Sequence, residues 1–305
     1  MQIDNSSLER FNTCPKSAYW YLVKGKETAG RNAATEFGRC IHHALERRYE
    51  LDGPGAVNNE TIRECNRLIQ QFFIDSPAGI EEWRNQEQAI MVFSNYISTY
   101  LDEPWEIISL ERPFSLPLMT VEVDAKLPMD VKHAAAGTQV DEIDVYWTGR
   151  IDMLVKHNEA NRLVDHKTTS VLGPTYWRAF DMSQQMEGYC WAAEQITGQN
   201  FNDVIINVLA SRRPTKTGKK VEFARENFHY TPLRIDRWRE NTKTLVAGFI
   251  QDLFENSFAY KTAWCVGKYG TCPYHDVCKL DTEAQQEITI NSGFYQDVTW
   301  TPLEN

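Results

Sequence analysis

Apolar Phe37, Ile41 and Leu45 recur every four positions in ATEFGRCIHHALERRYE, which predicts an amphipathic helix over residues 33–49 with Arg47 and Arg48 near its C-terminal end. His42 and Glu46 share a face of that helix, one turn apart. Upstream, Ser6-Ser7-Leu8-Glu9 has the spacing of a capping box that opens a short helix. Cys14-Pro15 then ends that helix and starts another with proline at its first position. Residues 51–59 form a Gly/Pro/Asn connection, and polar helical sequence follows from about 61 to 100, ahead of Pro104. From Trp105 the period changes to that of strands: EIISLERPF, VDEIDVYWTGRIDMLV and NRLVDHKTT. Asp181-Met-Ser-Gln184 opens a helix that passes through Gln185 and Tyr189 and stops at Gly198. Residues 203–210 read as a strand, VEFAR as its returning partner, and a helix over about 234–255 precedes a cysteine-bearing tail. The order predicts one α/β domain over residues 1–305: a helical part (about 1–104), a sheet core (about 105–230) and a C-terminal helix with tail (about 231–305).

Composition fits a globular chain able to bury a full core: 305 residues, 42% hydrophobic, 12% aromatic. The early Asp4 and the lack of any apolar run near membrane-spanning length predict neither a signal peptide nor a membrane span, so the expected address is cytoplasmic. A formal charge of -10 argues against a protein coated in basic residues, so contact with nucleic acid must come from a local groove and from bound cations. The seven cysteines, an odd number in a reducing compartment, disfavour a disulfide framework and raise metal or cluster ligation instead.

The stretch LVDHKT sets Leu163, Asp165 and Lys167 on one side of a strand and Val164 and His166 on the other. If it pairs symmetrically with WTGRIDMLV about the connector 157–160, position numbers across the ladder sum to 317 and Asp152 faces Asp165. Two carboxylates opposed at roughly 5 Å repel unless something neutralises them, and a divalent cation would do so. Lys167, on the same face, would steady an attacking water or the charge of a phosphate transition state. A solvated strand face with an ordinary ion pair is the alternative reading of Asp-x-Lys by itself.

Taken together, Gly38-x3-His42, Gly149-Arg-Ile-Asp152, Asp165-His-Lys167 and Gln185-x3-Tyr189 resemble the ordered motifs of the PD-(D/E)xK nuclease superfamily, specifically its RecB-like branch. The resemblance runs from Cys14 to Cys278 and implies a restriction-endonuclease-like fold: a mixed central sheet flanked by helices, with helical additions. It implies that His42, Asp152, Asp165 and the backbone carbonyl of His166 hold Mg²⁺ or Mn²⁺, and that Lys167 is the catalytic lysine. Gln185 and Tyr189 match the helix motif that positions the lysine, the metal site or a DNA phosphate; an i,i+4 pair at a packed helix edge is the other reading. His43, about 100° around the helix from His42, matches no ligand position. Ile151 stands where the superfamily's name has proline, a departure common in RecB-like members. Glu111, in ISLERPF, precedes the hairpin as an acidic strand residue does in this family, but ranks behind the others because an exposed strand glutamate explains it equally well.

Cys265-x6-Cys272-x5-Cys278 gathers three thiols in one tail, with Cys14 far upstream as a candidate fourth. One N-terminal and three C-terminal cysteines resemble the RecB-like exonucleases that carry an iron-sulfur cluster, including the AddB type and those of CRISPR adaptation. That implies a 4Fe-4S cluster stapling the N- and C-terminal regions. The six-residue first gap, where many members have two, makes Cys265 the departure. Zinc on the same sulfurs and unligated core thiols are the alternatives. Cys40, Cys65 and Cys190 fall in helices as packing residues. In SRRPTKTGKK, Arg212, Arg213, Lys216, Lys219 and Lys220 form either a phosphate-tracking loop or a solvated basic turn. Trp177 and Arg178 are candidates for stacking on unpaired bases. The resemblance implies a metal-dependent DNA nuclease, an exonuclease on single-stranded ends, with a helicase or recombination partner and a place in DNA repair or recombination. A catalytically silent nucleic-acid-binding subunit of a helicase-nuclease assembly is the alternative.

Overall fold

The computed structural model describes residues 1–29, 32–75, 83–126, 139–214, 221–267, 270–301 and 303. In chain order the elements are β1 (Gln2–Ile3), α1 (Asn5–Thr13), α2 (Pro15–Ala18), β2 (Lys26–Thr28), α3 (Ala33–Asp52), α4 (Asn59–Asp75), α5 (Gln86–Thr99) and β3 (Glu106–Lys126). There follow β4 (Gln139–His157), β5 (Ala160–Thr169), α6 (Pro174–Arg178), α7 (Gln184–Thr197), β6 (Asp203–Ser211), β7 (Val221–His229) and α8 (Pro232–Glu255). The tail holds β8 (Val266–Gly267), β9 (Gly270–Thr271), α9 (His275–Cys278), α10 (Glu283–Ile290) and β10 (Tyr295–Asp297). The central sheet is mixed, in the order β1-β4-β5-β6-β7 with β3 also on β4, and helices flank it.

The chain divides into two units, residues 30–113 with 150–235, and residues 1–29 with 114–149 and 236–305. In the first unit β4 and β5 form the expected hairpin: the ladder runs from Met153 opposite Val164 to His157 opposite Ala160, the expected symmetric register, and Asp152 and Asp165 lie just beyond its last pair. Asn158 and Glu159 close it with φ of 50° and 60°, the two left-handed residues of a type I′ turn. β5 and β6 are parallel, so a crossover must join them, and α6 and α7 supply it. β7 returns antiparallel to β6. Val164, Met153, Val155, Ile205 and Leu209 turn into one core with Phe37, Ile41 and Leu45 of α3 and Val92, Phe93 and Tyr96 of α5. The opposite sheet face, with Asp165 and Lys167, is covered by α7, which packs on β5 and β6.

Several boundaries move from expectation. Helix α1 begins two residues early, because the Asp4 carboxylate accepts from the Ser7 N–H at 2.7 Å while Ser7 Oγ accepts from the Asp4 N–H at 2.8 Å. Asp4, not Ser6, is the cap. Ser183 rather than Asp181 caps α7, through the Met186 N–H, and Gly198 ends that helix in the left-handed region at φ 68°. The helical stretch expected over 61–100 is two helices, α4 and α5; Asn85 accepts from the Gln88 N–H and starts the second. Cys40, Cys65 and Cys190 are buried packing residues, and burial pushes the thiols of Cys40 and Cys65 up to about 12.

In the second unit the two chain ends meet. The Lys16 N–H donates to the Ala259 carbonyl, Lys261 Nζ to the Asn12 carbonyl and Tyr274 Oη to the Lys26 carbonyl. Phe11 stacks on Phe249 with ring centroids 4.1 Å apart, and β2 pairs antiparallel with β10. Among the described residues no helix is long and apolar enough to cross a membrane.

Candidate metal centre and active site

His42 is placed by a close approach of helix to strand. A Cβ on Gly38 would lie 2.9 Å from Thr168 Oγ1, so glycine at this position lets α3 lie against β5. One turn further on, His42 Nδ1 is 3.5 Å from Asp152 Oδ2. His43 turns away to Glu46 and is half exposed. His42, Glu111 and Asp152 each offer a ligand atom, and the three atoms lie within 4.8 Å of one another. Such a mixed imidazole and carboxylate set suits a divalent cation.

Glu111 is the residue that sequence reasoning undervalued. It is not an exposed strand glutamate: its side chain is 15% exposed and sits 4.0 Å from Arg150. Its φ is 40°, a left-handed conformation uncommon for glutamate and a recurrent mark of functional sites. Burial above all, with Asp152 and Glu46 adding repulsion, pushes its carboxyl up to about 9. The alternation of strand positions could not reveal this, because the backbone turn breaks the alternation.

Asp152 Oδ2 accepts from the His166 N–H at 2.7 Å, tying the two strands together at the site. Asp165 is fully buried, with Oδ2 2.8 Å from Lys167 Nζ. Burial pushes Asp165 up to about 6 despite the pull of Lys167, and Asp152 adds to the rise. The three-residue group is thus completed by Glu111, while Asp165 engages the lysine. Lys167 Nζ also donates to Gln185 Oε1 at 2.9 Å, and Gln185 Nε2 donates to Tyr189 Oη at 3.3 Å. The helix motif therefore meets the strand motif directly. His166 presents its ring to the other sheet face, where its Nδ1 lies 2.7 Å from Asn207 Nδ2; burial pushes the imidazole down to about 3, so it is neutral.

Trp177 and Arg178 line a groove of about 520 Å³ whose far wall includes Glu222, Ala224 and Glu226. The Trp177 ring is inclined 29° to that of Phe228, with centroids 6.4 Å apart. Arg212 pairs with Glu222 at 3.1 Å, Arg213 is exposed, and Lys216, Lys219 and Lys220 lie outside the described residues. The four cysteines Cys14, Cys265, Cys272 and Cys278 all fall in the second unit and are all partly buried. The Cys272 N–H donates to the Cys265 carbonyl, and Cys14, the residue before Pro15 of α2, has its Sγ 3.9 Å from the Ala259 carbonyl. Burial raises the Cys272 thiol, with Cys265 and Cys14 contributing, and pushes Cys278 up to about 11, with Cys272 and Cys14 contributing. Cys272 and Cys278 therefore each feel other thiols of the set.

A histidine and two acids close enough to share one cation, beside a lysine bonded to a helix glutamine, form a group that could serve a metal-assisted phosphodiesterase. The sequence profile of the PD-(D/E)XK nuclease superfamily matches residues 5–279, and the chain belongs to this superfamily of phosphodiester hydrolases, which use divalent metals. Among solved structures, the chain is similar to a candidate exonuclease from Eubacterium rectale, with 10% identity over 96% of this chain and 93% of that one and a TM-score of 0.45. It is also similar to SSO0001, with 12% identity over 79% and 85% of the two chains and a TM-score of 0.25. No curated protein sequence matches it.

Proposed function

We propose that this nuclease is a metal-dependent exonuclease acting on single-stranded DNA ends. The observation that carries the reading is the convergence of His42, Glu111 and Asp152 within 4.8 Å, beside a lysine already held at 2.8 Å from Asp165 and 2.9 Å from Gln185. The donor set fits a divalent cation: burial first, and neighbouring carboxylates second, hold Glu111 up at about 9 and Asp165 at about 6, so a cation seated among them would favour their ionised forms. His42, Glu111 and Asp152, with Asp165 and the His166 carbonyl, would hold Mg²⁺ or Mn²⁺, and imidazole in the set favours Mn²⁺. When bound, the cation supplies Lewis-acid activation of water and neutralises phosphate charge.

The chain's own residues do the rest. Lys167 places a fixed ammonium where charge builds on the phosphoryl oxygens. Gln185 restrains that ammonium, and Tyr189 restrains the Gln185 amide. Asp152 holds the backbone at His166 and so keeps the two strands in register at the site. Trp177, which lines the groove beside Phe228, is the platform for an unpaired base, and Arg178 beside it is the phosphate contact. Carboxylates on the far wall of that groove confine the DNA path to the α6 side.

We also infer that Cys14, Cys265, Cys272 and Cys278 hold a 4Fe-4S cluster. The influence of neighbouring thiols on Cys272 and Cys278 and the meeting of both chain ends in the same unit support that reading. An anaerobic preparation is expected to be brown and to contain iron and sulfide; zinc without sulfide would contradict the cluster. For the activity, end-labelled single strands incubated with Mn²⁺ should shorten stepwise. Lys167→Ala and Asp165→Ala should each lower the rate by at least about 100-fold. Equal degradation by all three proteins would remove the catalytic assignment.

A further inference from the structure

The residue between Asp165 and Lys167 is gripped from behind by a row of side chains that crosses three strands. His166 of β5 pairs in register with Asn207 of β6, and Asn207 with Arg225 of β7. Arg225 Nε donates to Asn207 Oδ1 at 2.9 Å, and Asn207 Nδ2 approaches His166 Nδ1 at 2.7 Å and Tyr96 Oη at 2.9 Å. A guanidinium only donates, so it fixes which end of the Asn207 amide is oxygen; the NH₂ end must face His166, whose Nδ1 therefore accepts. Arg225 is in turn immobilised. It lies over Tyr100 at 3.6 Å and Trp105 at 4.4 Å, and it bonds Tyr96 Oη at 2.7 Å and the buried carboxylate of Glu103. The His166 ring is also stacked on Tyr49, at 5.9 Å and 10°. On its main-chain side, His166 donates its N–H to Asp152.

We propose that Asn207 and Arg225 are positioning residues for the metal centre. The row locks the His166 side chain in one orientation, and through it the segment that carries the Asp165 carboxylate, the His166 carbonyl and the N–H that orients Asp152. Neither residue touches substrate or cation. Partners of this kind, one step removed from ligands, typically set metal affinity by 10–100-fold. The proposal rests on the reading of His42, Glu111 and Asp152 as cation ligands.

The test is Mn²⁺ binding by the full chain without DNA, followed through the free Mn²⁺ resonance. Asn207→Leu and Arg225→Lys are expected to weaken binding by about 10–100-fold. Lysine keeps the charge beside Glu103 but loses the fork, so its failure to rescue shows that geometry matters. Tyr96→Phe, which removes one hydroxyl from a folded core, should weaken binding by a smaller factor. Ile69→Ala, in the same core but outside the row, should leave the affinity unchanged. Wild-type affinity in Asn207→Leu, Arg225→Lys and Tyr96→Phe would overturn the proposal, as would equal weakening by Ile69→Ala. A wild-type protein that binds no Mn²⁺ would instead overturn the metal reading beneath it.

Discussion

Glu111 carries the sharpest consequences at the level of single residues. Its folded carboxyl titrates at about 9 against an ordinary value of 4.5, so the metal-free folded state holds a proton that the unfolded state releases. The stability linked to that proton is fully present below the ordinary value and is lost as pH rises through about 9. In EDTA, Tm should therefore fall between pH 6 and pH 9, and Glu111→Gln should flatten that slope; an unchanged slope would show the carboxyl is not the source. Cation binding must displace the same proton, so Mn²⁺ affinity should rise over this interval in the wild type and far less in Glu111→Gln. Lys167→Ala should part company with both. It should still bind Mn²⁺ while losing cleavage, because its ammonium is paired with Asp165 and Gln185 rather than placed among His42, Glu111 and Asp152.

At the level of elements, the approach of α3 to β5 is what delivers His42. Gly38→Ala should force the helix off the strand and weaken Mn²⁺ binding. Thr168→Ala, which removes the atom 2.9 Å from the added methyl, should restore most of it in the double variant. Failure of that rescue would mean that the glycine serves another purpose. In the β4–β5 turn, Glu159 sits at φ 60°, and Glu159→Gly is expected to stabilise the protein by about 0.5–1 kcal/mol in urea denaturation. Much of this level was legible in the chain. The hairpin register followed from strand symmetry, and the α3 stripe from its four-residue recurrence. The Lys167 to Gln185 contact was reachable through the motif order alone. Glu111 was reachable only through the family resemblance and ranked behind the others, because a left-handed residue within a strand leaves no trace in alternation. The row from His166 to Arg225 was hidden, since it depends on which strands are neighbours in the sheet and not on any local pattern.

At the level of the whole molecule, two separate units each gather sequence-distant pieces around a candidate inorganic group: an oxygen and nitrogen set in one, four thiols in the other. The thiol set is read as structural, so Cys14→Ser and Cys278→Ser should lower Tm and iron content together. Loss of iron without loss of stability would separate the cluster from the fold. The oxygen and nitrogen set is read as the seat of hydrolysis, which depends on a cation seated at His42. Pulsed electron paramagnetic resonance of protein-bound Mn²⁺ examines this directly, because imidazole nitrogen couples to the ion's electron spins, and the other nearby ring, His166, is turned to Asn207. Nitrogen coupling in the wild type that vanishes in His42→Ala is the expected result. Bound Mn²⁺ without nitrogen coupling, or coupling that survives in His42→Ala, would contradict it.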